Sequence, residues 1–200
     1  MARGTVKVTE AAQQEAAKGG GDFKPLDAGI YNVTIVDAEE TKITNEKSPN
    51  KGTTGVRLQL RVSEGQKGTN RRLFQTVYDV ERWNPKPGKD EGTVNWLFSQ
   101  FYKSLGLMGE SAELFELPDI EDLLGEALAV KVKIVPDTYK YKKALEEWNA
   151  LPEKADGTKA TPEPVKGDFL TNDISEFLPE QDIEDVAEAA DDDEDGFELG

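Results

Sequence analysis

Two arginines alternate with aliphatic residues in the segment 56–62. Arg57 and Arg61 are four residues apart, and the residues on either side of each are Val or Leu. Because successive side chains of a strand point to opposite faces, this pattern predicts a strand with one buried face and one face carrying two guanidinium groups. Guanidinium groups bind phosphate oxygens through paired, charge-assisted hydrogen bonds. For one strand taken alone, the alternative is an ordinary solvated face with scattered arginines.

Aromatic residues accompany further basic residues in the next predicted strand. In the segment 71–80, Phe74 and Tyr78 share a face with Arg72, and Trp83 follows in a loop that contains Lys and Pro. Stacking of a base on an aromatic ring is worth about 1–3 kcal/mol and tolerates every base. These three rings are therefore candidate stacking residues. Their alternative role is core packing, because one sequence leaves the strand register open.

Basic residues are concentrated around these two strands. The segment 42–89 contains eleven Lys and Arg residues against four acids. Binding to a phosphate backbone uses several cations along one track, and each contact releases counterions from the nucleic acid. The candidate DNA-binding residues are Lys47, Lys51, Arg57, Arg61, Lys67, Arg71, Arg72, Phe74, Tyr78, Trp83 and Lys86.

The C-terminal part of the chain has the opposite charge. Residues 168–200 contain fourteen acids and no Lys or Arg, so subtracting their −14 from the net charge of −16 leaves −2 for residues 1–167. Such a charge run predicts a disordered, extended tail over 179–200. A specific metal site is disfavoured, because the run lacks spaced ligands and a glycine turn. The candidate partner-binding residues of this tail are Asp191, Asp192, Asp193, Glu194, Asp195, Phe197 and Leu199.

The composition excludes several kinds of chemistry. The chain has no Cys and no His, which removes thiolate zinc sites, disulfides and the commonest general base near neutral pH. No glycine-rich phosphate loop ending in Lys-Ser or Lys-Thr occurs. We therefore expect no enzyme activity, no cofactor and no metal. Because no apolar run approaches about 20 residues and the N-terminus lacks a signal-peptide core, we expect a cytoplasmic protein without membrane association.

Hydrophobic periodicity predicts a small domain rich in β-structure. Strands are predicted at residues 29–37, 56–62, 71–80 and 127–135, with a last strand or docked segment at 169–178. This order fits a mainly β fold with one or two helices, namely an OB-fold-like Greek-key barrel. The second and third strands of such a barrel present a nucleic-acid-binding face.

Two helices are predicted between the third and fourth strands. Thr93 is the expected N-cap of the first helix, and Gly106 is its expected C′ residue. In the short second helix, Leu123 and Leu124 are expected to point inward. Ile134 of the following strand is expected in the core as well.

The chain divides by composition into three parts. Residues 1–21 are a predicted flexible N-terminal arm, residues 22–178 the OB-fold domain, and residues 179–200 the disordered acidic tail. Within the domain, the sequence leaves residues 139–167 open as an inserted hairpin or loop.

The pattern and order of these segments resemble those of a family of phage-encoded proteins. The resemblance covers residues 22–178 and rests on the segments PLDAGIYNVTI, TGVRLQLRVSEGQKGTNRRLF, VNWLFSQFYKSLGL, IEDLLGEALAVKVKI and NDISEFLP. Members of that family, many of them uncharacterised, are thought to be OB-fold single-stranded DNA-binding proteins. The acidic C-terminus is similar to the tails of replication single-stranded DNA-binding proteins, which dock partners and compete with DNA.

The resemblance and the residues together predict a protein that binds single-stranded DNA without strong sequence preference in phage replication, recombination or repair. In the host cytoplasm, its tail is expected to recruit a polymerase, helicase, primase or recombinase and to compete with DNA for the domain. One alternative is an acidic DNA mimic that inhibits a host DNA-binding enzyme, and another is a carboxylate/metal nuclease. RNA binding and a homodimer are left open.

Overall fold

The computed structural model describes residues 24–109, 115–152 and 159–182. The predicted N-terminal arm and the tail residues 191–199 lie outside these ranges. The described ranges contain β1 (Gly29–Lys42), β2 (Thr54–Val62), β3 (Arg72–Tyr78), α1 (Trp96–Ser104), β4 (Ala127–Pro136), α2 (Thr138–Asn149) and β5 (Leu170–Leu178). Short 3₁₀ turns lie at Ile120–Leu123 and Lys166–Asp168.

The strands form one antiparallel sheet in the order β3-β2-β1-β4-β5. Cα atoms of the two outermost strands, β3 and β5, come within 8 Å of each other, so the sheet curls towards closure. A barrel closed between the third and fifth strands, with a helix after the third, has the strand order of an OB-fold. The predicted fold class, mainly β and OB-fold-like, is confirmed.

The first strand, β1, pairs with two different strands and bends between them. Residues 29–34 pair with β4, and residues 33–42 pair with β2. The register shifts between Ile35 and Asp37, which marks a β-bulge. A bulge bends and twists a strand locally, so β1 can belong to both sides of the curl. The polar second half of β1 extends the strand beyond its predicted end at residue 37.

The alternation predicted for β2 and β3 is confirmed. The side chains of Leu58, Leu60 and Val62 are fully buried, whereas Arg57 and Arg61 are exposed. In β3, Leu73 and Val77 are buried, whereas Arg72 and Phe74, on the opposite face of the strand, are exposed. The register of β3 thus assigns its aliphatic residues, and not Phe74, to the core.

Helix α1 covers one opening of the curled sheet with aromatic residues. Phe101 and Tyr102 are fully buried, and the Phe101 ring lies 5.1 Å from the ring of Phe177 on β5. Leu97 and Phe98 pack against the same core, as the predicted helical stripe requires. Gly106 follows the helix with a positive φ of 70°, which confirms it as the C′ residue.

The predicted N-cap of α1 was wrong. Asn95, not Thr93, precedes the helix, and its side-chain amide donates to the carbonyls of Tyr78 and Val80 at 3.0 and 2.9 Å. The Thr93 carbonyl instead accepts from the backbone N–H of Trp83 at 2.8 Å. Thr93 therefore belongs to a short bridge that leads into the helix, and sequence preference alone did not separate the two positions.

Two residues predicted in the core are exposed. Leu124 is 48% exposed because the predicted short helix is a 3₁₀ turn that places Leu123, three residues after Ile120, inward and ends before Leu124. Ile134 is 42% exposed. It lies beyond Val132, the last residue of β4 that pairs with β1, and pairs with Asn172 of β5 alone.

Residues 139–167, left open by the sequence, include most of helix α2. Asp137 caps the helix by accepting from the backbone N–H of Lys140 at 2.9 Å, and this hydrogen bond lowers the pKa of the Asp137 carboxyl. At the other end, the Lys159 ammonium lies 4.1 Å from the ring centre of Trp148 and donates to the Trp148 carbonyl. Helix α2 buries no side chain fully. Its sequence therefore needs no continuous apolar face, and it shows only weak hydrophobic periodicity. None of the helices in the described ranges is long and apolar enough to span a bilayer.

Candidate nucleic-acid interface

The outward face of the β2–β3 hairpin carries two rows of side chains in register. Arg61 lies opposite Arg72, and Gln59 lies opposite Phe74. Residues directly opposite in an antiparallel pair point to the same face, with Cβ atoms about 4.5–5.5 Å apart. The hairpin therefore brings two arginines and one aromatic ring into a single patch, which we call the Arg61–Phe74 patch (Arg61, Arg72 and Phe74).

The two arginines of this patch face each other without an intervening acid. Within the described ranges, neither Arg61 nor Arg72 forms an ion pair. With the Gln59 amide oriented so that its oxygen faces β3, that oxygen accepts from Arg72 Nε at 3.1 Å. The Arg72 guanidinium is thus positioned by a neutral group. Like charges directly opposite destabilise a sheet, and an anion bound between them relieves this repulsion.

Phe74 is the exposed ring of the patch. Its side chain is 65% exposed although it sits in the middle of a strand. A phenyl ring in water beside two guanidinium groups can stack on a base while the cations contact the adjacent phosphates. Of the three predicted stacking rings, Phe74 is the one whose face is most open.

A cleft of about 590 Å³ lies beside the patch, between the free edges of β3 and β5. Its lining residues are Pro25, Asn70, Arg71, Arg72, Leu73, Phe74, Lys140, Leu170, Thr171 and Asn172. Lys140 comes from α2 and adds a third cation close to Arg72 and Phe74, and its ammonium lies 3.3 Å from the Asp137 carboxylate. Lys140 was not among the residues predicted from the sequence, because its location depends on a helix that hydrophobic periodicity did not identify.

Two of the predicted basic residues are engaged by the chain segment that enters the sheet. Lys67 forms an ion pair with Asp27, and the hydrogen bond to Asp27 raises the pKa of the Lys67 ammonium. Arg71 Nη2 donates to the carbonyl of Lys24. Both side chains thus help to fix residues 24–27 next to the β2–β3 turn.

Acids border the hairpin on its β1 side. Arg57 pairs with Glu39 in the sheet, and its guanidinium lies 3.9 Å from the Glu39 carboxylate. Asp37 lies opposite Gln59 in the same strand register. The cationic track is consequently narrower than the sequence indicated: in the described ranges Arg61 and Arg72 form no ion pair, whereas Arg57 and Lys140 each lie beside an acid, Glu39 and Asp137 respectively.

The remaining candidate residues lie at the far end of the hairpin, in the loops 43–53 and 79–95. Asn84 joins the two loops: its backbone N–H donates to Asn50 Oδ1 at 2.7 Å, and its Nδ2 donates to the Pro49 carbonyl at 2.9 Å. Lys47 and Lys86 are exposed, whereas Lys51 pairs with Glu46 at 2.6 Å. At about 3.3 Å per residue, Tyr78 at this end of β3 lies about 13 Å from Phe74 and about 20 Å from Arg72.

Tyr78 and Trp83 lie together at that far end. Their ring centres are 5.5 Å apart with the planes at 71°, an edge-to-face arrangement. Both side chains are partly buried. The contact leaves them less ring surface for stacking on a base than Phe74 has.

A pair that was not predicted from the sequence, the buried Tyr102 and the partly buried Asp79, links α1 to the end of β3. The Tyr102 hydroxyl donates to Asp79 Oδ1 at 3.3 Å. Burial raises the pKa of Asp79, and burial together with the nearby Asp79 carboxylate raises the pKa of Tyr102 well above its usual range. Although Glu40, Asp119 and Glu121 line a cleft with this pair, no group of acids in the described ranges is arranged to hold a metal ion.

Comparison with known proteins gives a family but no activity. No protein of curated function matches this chain. The family described as "Protein of unknown function (DUF669)" matches residues 10–159, which cover the sheet from β1 to β4 together with both helices. Since this match spans three quarters of the sequence, the chain belongs to that family.

Proposed function

We propose that this chain is a single-stranded DNA-binding protein that holds DNA on the β2–β3 face without strong sequence preference. The DNA strand passes over the Arg61–Phe74 patch and continues along the cleft towards Lys140. Guanidinium and ammonium groups contact the phosphates, and Phe74 stacks on a base. Such contacts read neither base edges nor sequence, so the binding is general.

The observation that carries this proposal is the pairing of Arg61 with Arg72 beside an exposed Phe74. Opposite charges directly across two strands stabilise a sheet, whereas like charges destabilise it. Here two like charges face each other and the neighbouring position is an exposed aromatic ring. This combination costs stability in the free protein and fits a ligand that is both polyanionic and aromatic.

The acidic tail, residues 179–200, supplies a second part of the function. Its carboxylates compete with DNA phosphates for the cationic patch, and its apolar residues Phe197 and Leu199 bind a replication or recombination protein. A partner of this kind, such as a polymerase, helicase, primase or recombinase, would displace the tail as it binds. As the setting of this activity we propose phage replication, recombination or repair, which the pattern resemblance supports.

The proposal is tested by fluorescence anisotropy with a labelled oligo(dT) at several salt concentrations. We expect saturable binding that weakens with salt, with a slope of log affinity against log salt of about −0.7 per phosphate contacted. Competition with oligo(dT), oligo(U) and a duplex of equal length distinguishes a preference for single-stranded DNA from RNA or duplex binding. No binding, combined with tight binding to a basic DNA-binding enzyme, would support the DNA-mimic alternative. Mg²⁺-dependent cleavage of the oligonucleotide would support a nuclease.

A further inference from the structure

The segment that follows β5 is held by a buried asparagine of β1. Asn32 is 3% exposed, and its side-chain amide makes both hydrogen bonds of a strand pair with the backbone of Gln181. Asn32 Nδ2 donates to the Gln181 carbonyl at 2.6 Å, and the Gln181 N–H donates to Asn32 Oδ1 at 3.0 Å. A buried amide with both of its groups paired in this way fixes the position of the backbone it contacts.

The backbone of Asn32 is held in turn by the turn between β2 and β3. Its N–H donates to Gln66 Oε1 at 2.8 Å, and its carbonyl accepts from Gln66 Nε2 at 3.1 Å. Three parts of the chain, namely β1, the β2–β3 turn and the segment after β5, are therefore joined by two side-chain amides. We call this arrangement the Asn32 anchor (Asn32, Gln66 and Gln181).

The anchor lies on the same face of the sheet as the Arg61–Phe74 patch. Asn32 alternates with the core residues Tyr31 and Val33, so its side chain points outward. Thr34, two residues further along β1, pairs with Arg61. Asn32 and Arg61 are thus diagonal neighbours on one face, at a separation of about 7–8 Å.

Two acids flank the anchored residue. Glu180 and Asp182 precede and follow Gln181, and both line the small cleft around Asn32, Ser63 and Gln66. Along the sequence, Glu184 and Asp185 come next, and the five-acid run begins at Asp191. The acidic tail therefore starts beside Arg61 and not at a remote point of the sheet.

We propose that Asn32 is a positioning residue that fixes the origin of the acidic tail at the edge of the DNA-binding patch. Tethering converts competition with DNA into an intramolecular event, whose strength depends on the distance between the tether point and the patch. Release of Gln181 from Asn32 would move that point to the end of β5. This inference rests on the proposed DNA binding, and it adds that the inhibitory effect of the tail depends on Asn32.

The chain offers a matched control in a second amide of the same geometry. Asn172 of β5 accepts from the Leu26 N–H at 2.7 Å and donates to the Leu26 carbonyl at 2.8 Å. It anchors the segment that enters the sheet, whereas Asn32 anchors the segment that leaves it. Asn172→Ala therefore removes an equivalent pair of hydrogen bonds without touching the tail. Because Asn172 also lines the cleft beside the patch, Asn172→Ala is expected to alter the Kd itself, and only its tail ratio serves as the control.

The test is a cycle of full-length variants in the oligo(dT) assay at low salt. Tail inhibition is measured as the ratio of the Kd of the chain with its natural tail to the Kd of a chain whose five acids at 191–195 are replaced by Asn or Gln. This ratio is determined in the natural background, in Asn32→Ala and in Asn172→Ala. Gln181→Pro, which removes the N–H that donates to Asn32 Oδ1, serves as a second variant if Asn32→Ala fails to fold.

We expect the same ratio above one in the natural background and in Asn172→Ala, and a lower ratio in Asn32→Ala and Gln181→Pro, because the released tail remains attached at the end of β5 but its free length grows by three residues. A general loss of stability would lower binding with either tail and leave the ratio unchanged. A ratio that stays at its natural value in Asn32→Ala and Gln181→Pro, or that equals one in the natural background, would overturn the inference while the DNA-binding proposal stands. Failure of every form to bind oligo(dT) would instead overturn the proposed function and this inference together.

Discussion

Arg61 on β2 lies directly opposite Arg72 on β3, and both side chains are exposed on the outer face of the sheet. Cross-strand pairs of like charge usually destabilise a sheet by a few tenths of a kcal/mol to about 1 kcal/mol. The pair therefore lowers the stability of the free protein but favours the binding of an anion. Variants that remove one arginine measure these two effects separately.

Arg72→Ala should increase the stability of the free protein while it weakens DNA binding. At low salt we expect the free energy of unfolding to rise by about 0.2–1 kcal/mol, because the repulsion with Arg61 is removed. Urea denaturation at low and high salt measures this change, and high salt should reduce it. A loss of stability of similar size at low salt would show that the pairing is not repulsive.

The same substitution should reduce the salt dependence of DNA binding. Each phosphate contact that is lost lowers the slope of log affinity against log salt by about 0.7, so Arg61→Ala with Arg72→Ala should lower it by about 1.4. Lys103→Ala is the control, since it removes an exposed charge from α1 on another part of the surface. An unchanged slope in the double variant, or an equal change in Lys103→Ala, would locate the DNA elsewhere. Arg57→Ala should change the slope less, because Glu39 already lies beside Arg57.

Phe74→Ala should weaken DNA binding without lowering stability. Loss of one stacked base costs about 1–3 kcal/mol of binding free energy, which corresponds to an affinity roughly 5- to 150-fold lower. Trp96→Ala is the matched control, because Trp96 is an equally exposed aromatic residue, 69% against 65%, but lies at the start of α1. Equal effects of the two substitutions on anisotropy titrations would contradict a specific stacking role for Phe74.

Much of the sheet could be predicted because its strands alternate strictly between core and solvent. Leu58, Leu60 and Val62 fix the inward face of β2, and the same parity leaves Arg61 outside. Residues 139–167 were left open because a helix that buries little surface shows no clear hydrophobic periodicity. Helix α2 buries no side chain fully, so its pattern carries little signal, and Lys140 was missed with it.

The polar contacts that position the candidate site could not be predicted from sequence. Asn32 reads as an ordinary outward residue of a strand, and only the fold brings Gln66 and Gln181 to its amide, 34 and 149 positions away. In the same way, Glu39 next to Arg57 depends on a register that is set by the bulge in β1. Long-range pairing of this kind is determined by strand order and register, which one sequence leaves open.

Truncation after Asp182 should tighten DNA binding, because it removes the densest acids of the tail and leaves the Asn32 anchor intact. We expect the gain in affinity to be largest at low salt and to shrink as salt screens the carboxylates. Titrations of the full chain and the truncated chain at three salt concentrations measure this difference. Unchanged or weaker affinity after truncation would remove the competitor role of the tail.

The buried Tyr102 should make the protein sensitive to alkaline pH. Because folding raises the pKa of Tyr102, its contribution to stability is complete below about pH 10 and is lost as the pH rises further, when ionisation favours the unfolded chain. Tyr102→Phe should lose about 1 kcal/mol near pH 8, the usual net value of one hydrogen bond, and should then fall less steeply above pH 10. Urea denaturation at pH 8, 10 and 11 measures both effects. Parallel pH profiles for the two proteins would contradict this role of Tyr102.

The central claim is most directly tested by the affinity of the full-length chain for labelled oligo(dT) as a function of salt, measured beside Arg61→Ala with Arg72→Ala. We predict saturable binding by the natural protein, with a negative slope against log salt that becomes shallower by about 1.4 in the double variant. The absence of oligo(dT) binding at low salt, or binding with the same salt slope in both proteins, would contradict the assignment of the β2–β3 face as a DNA-binding surface.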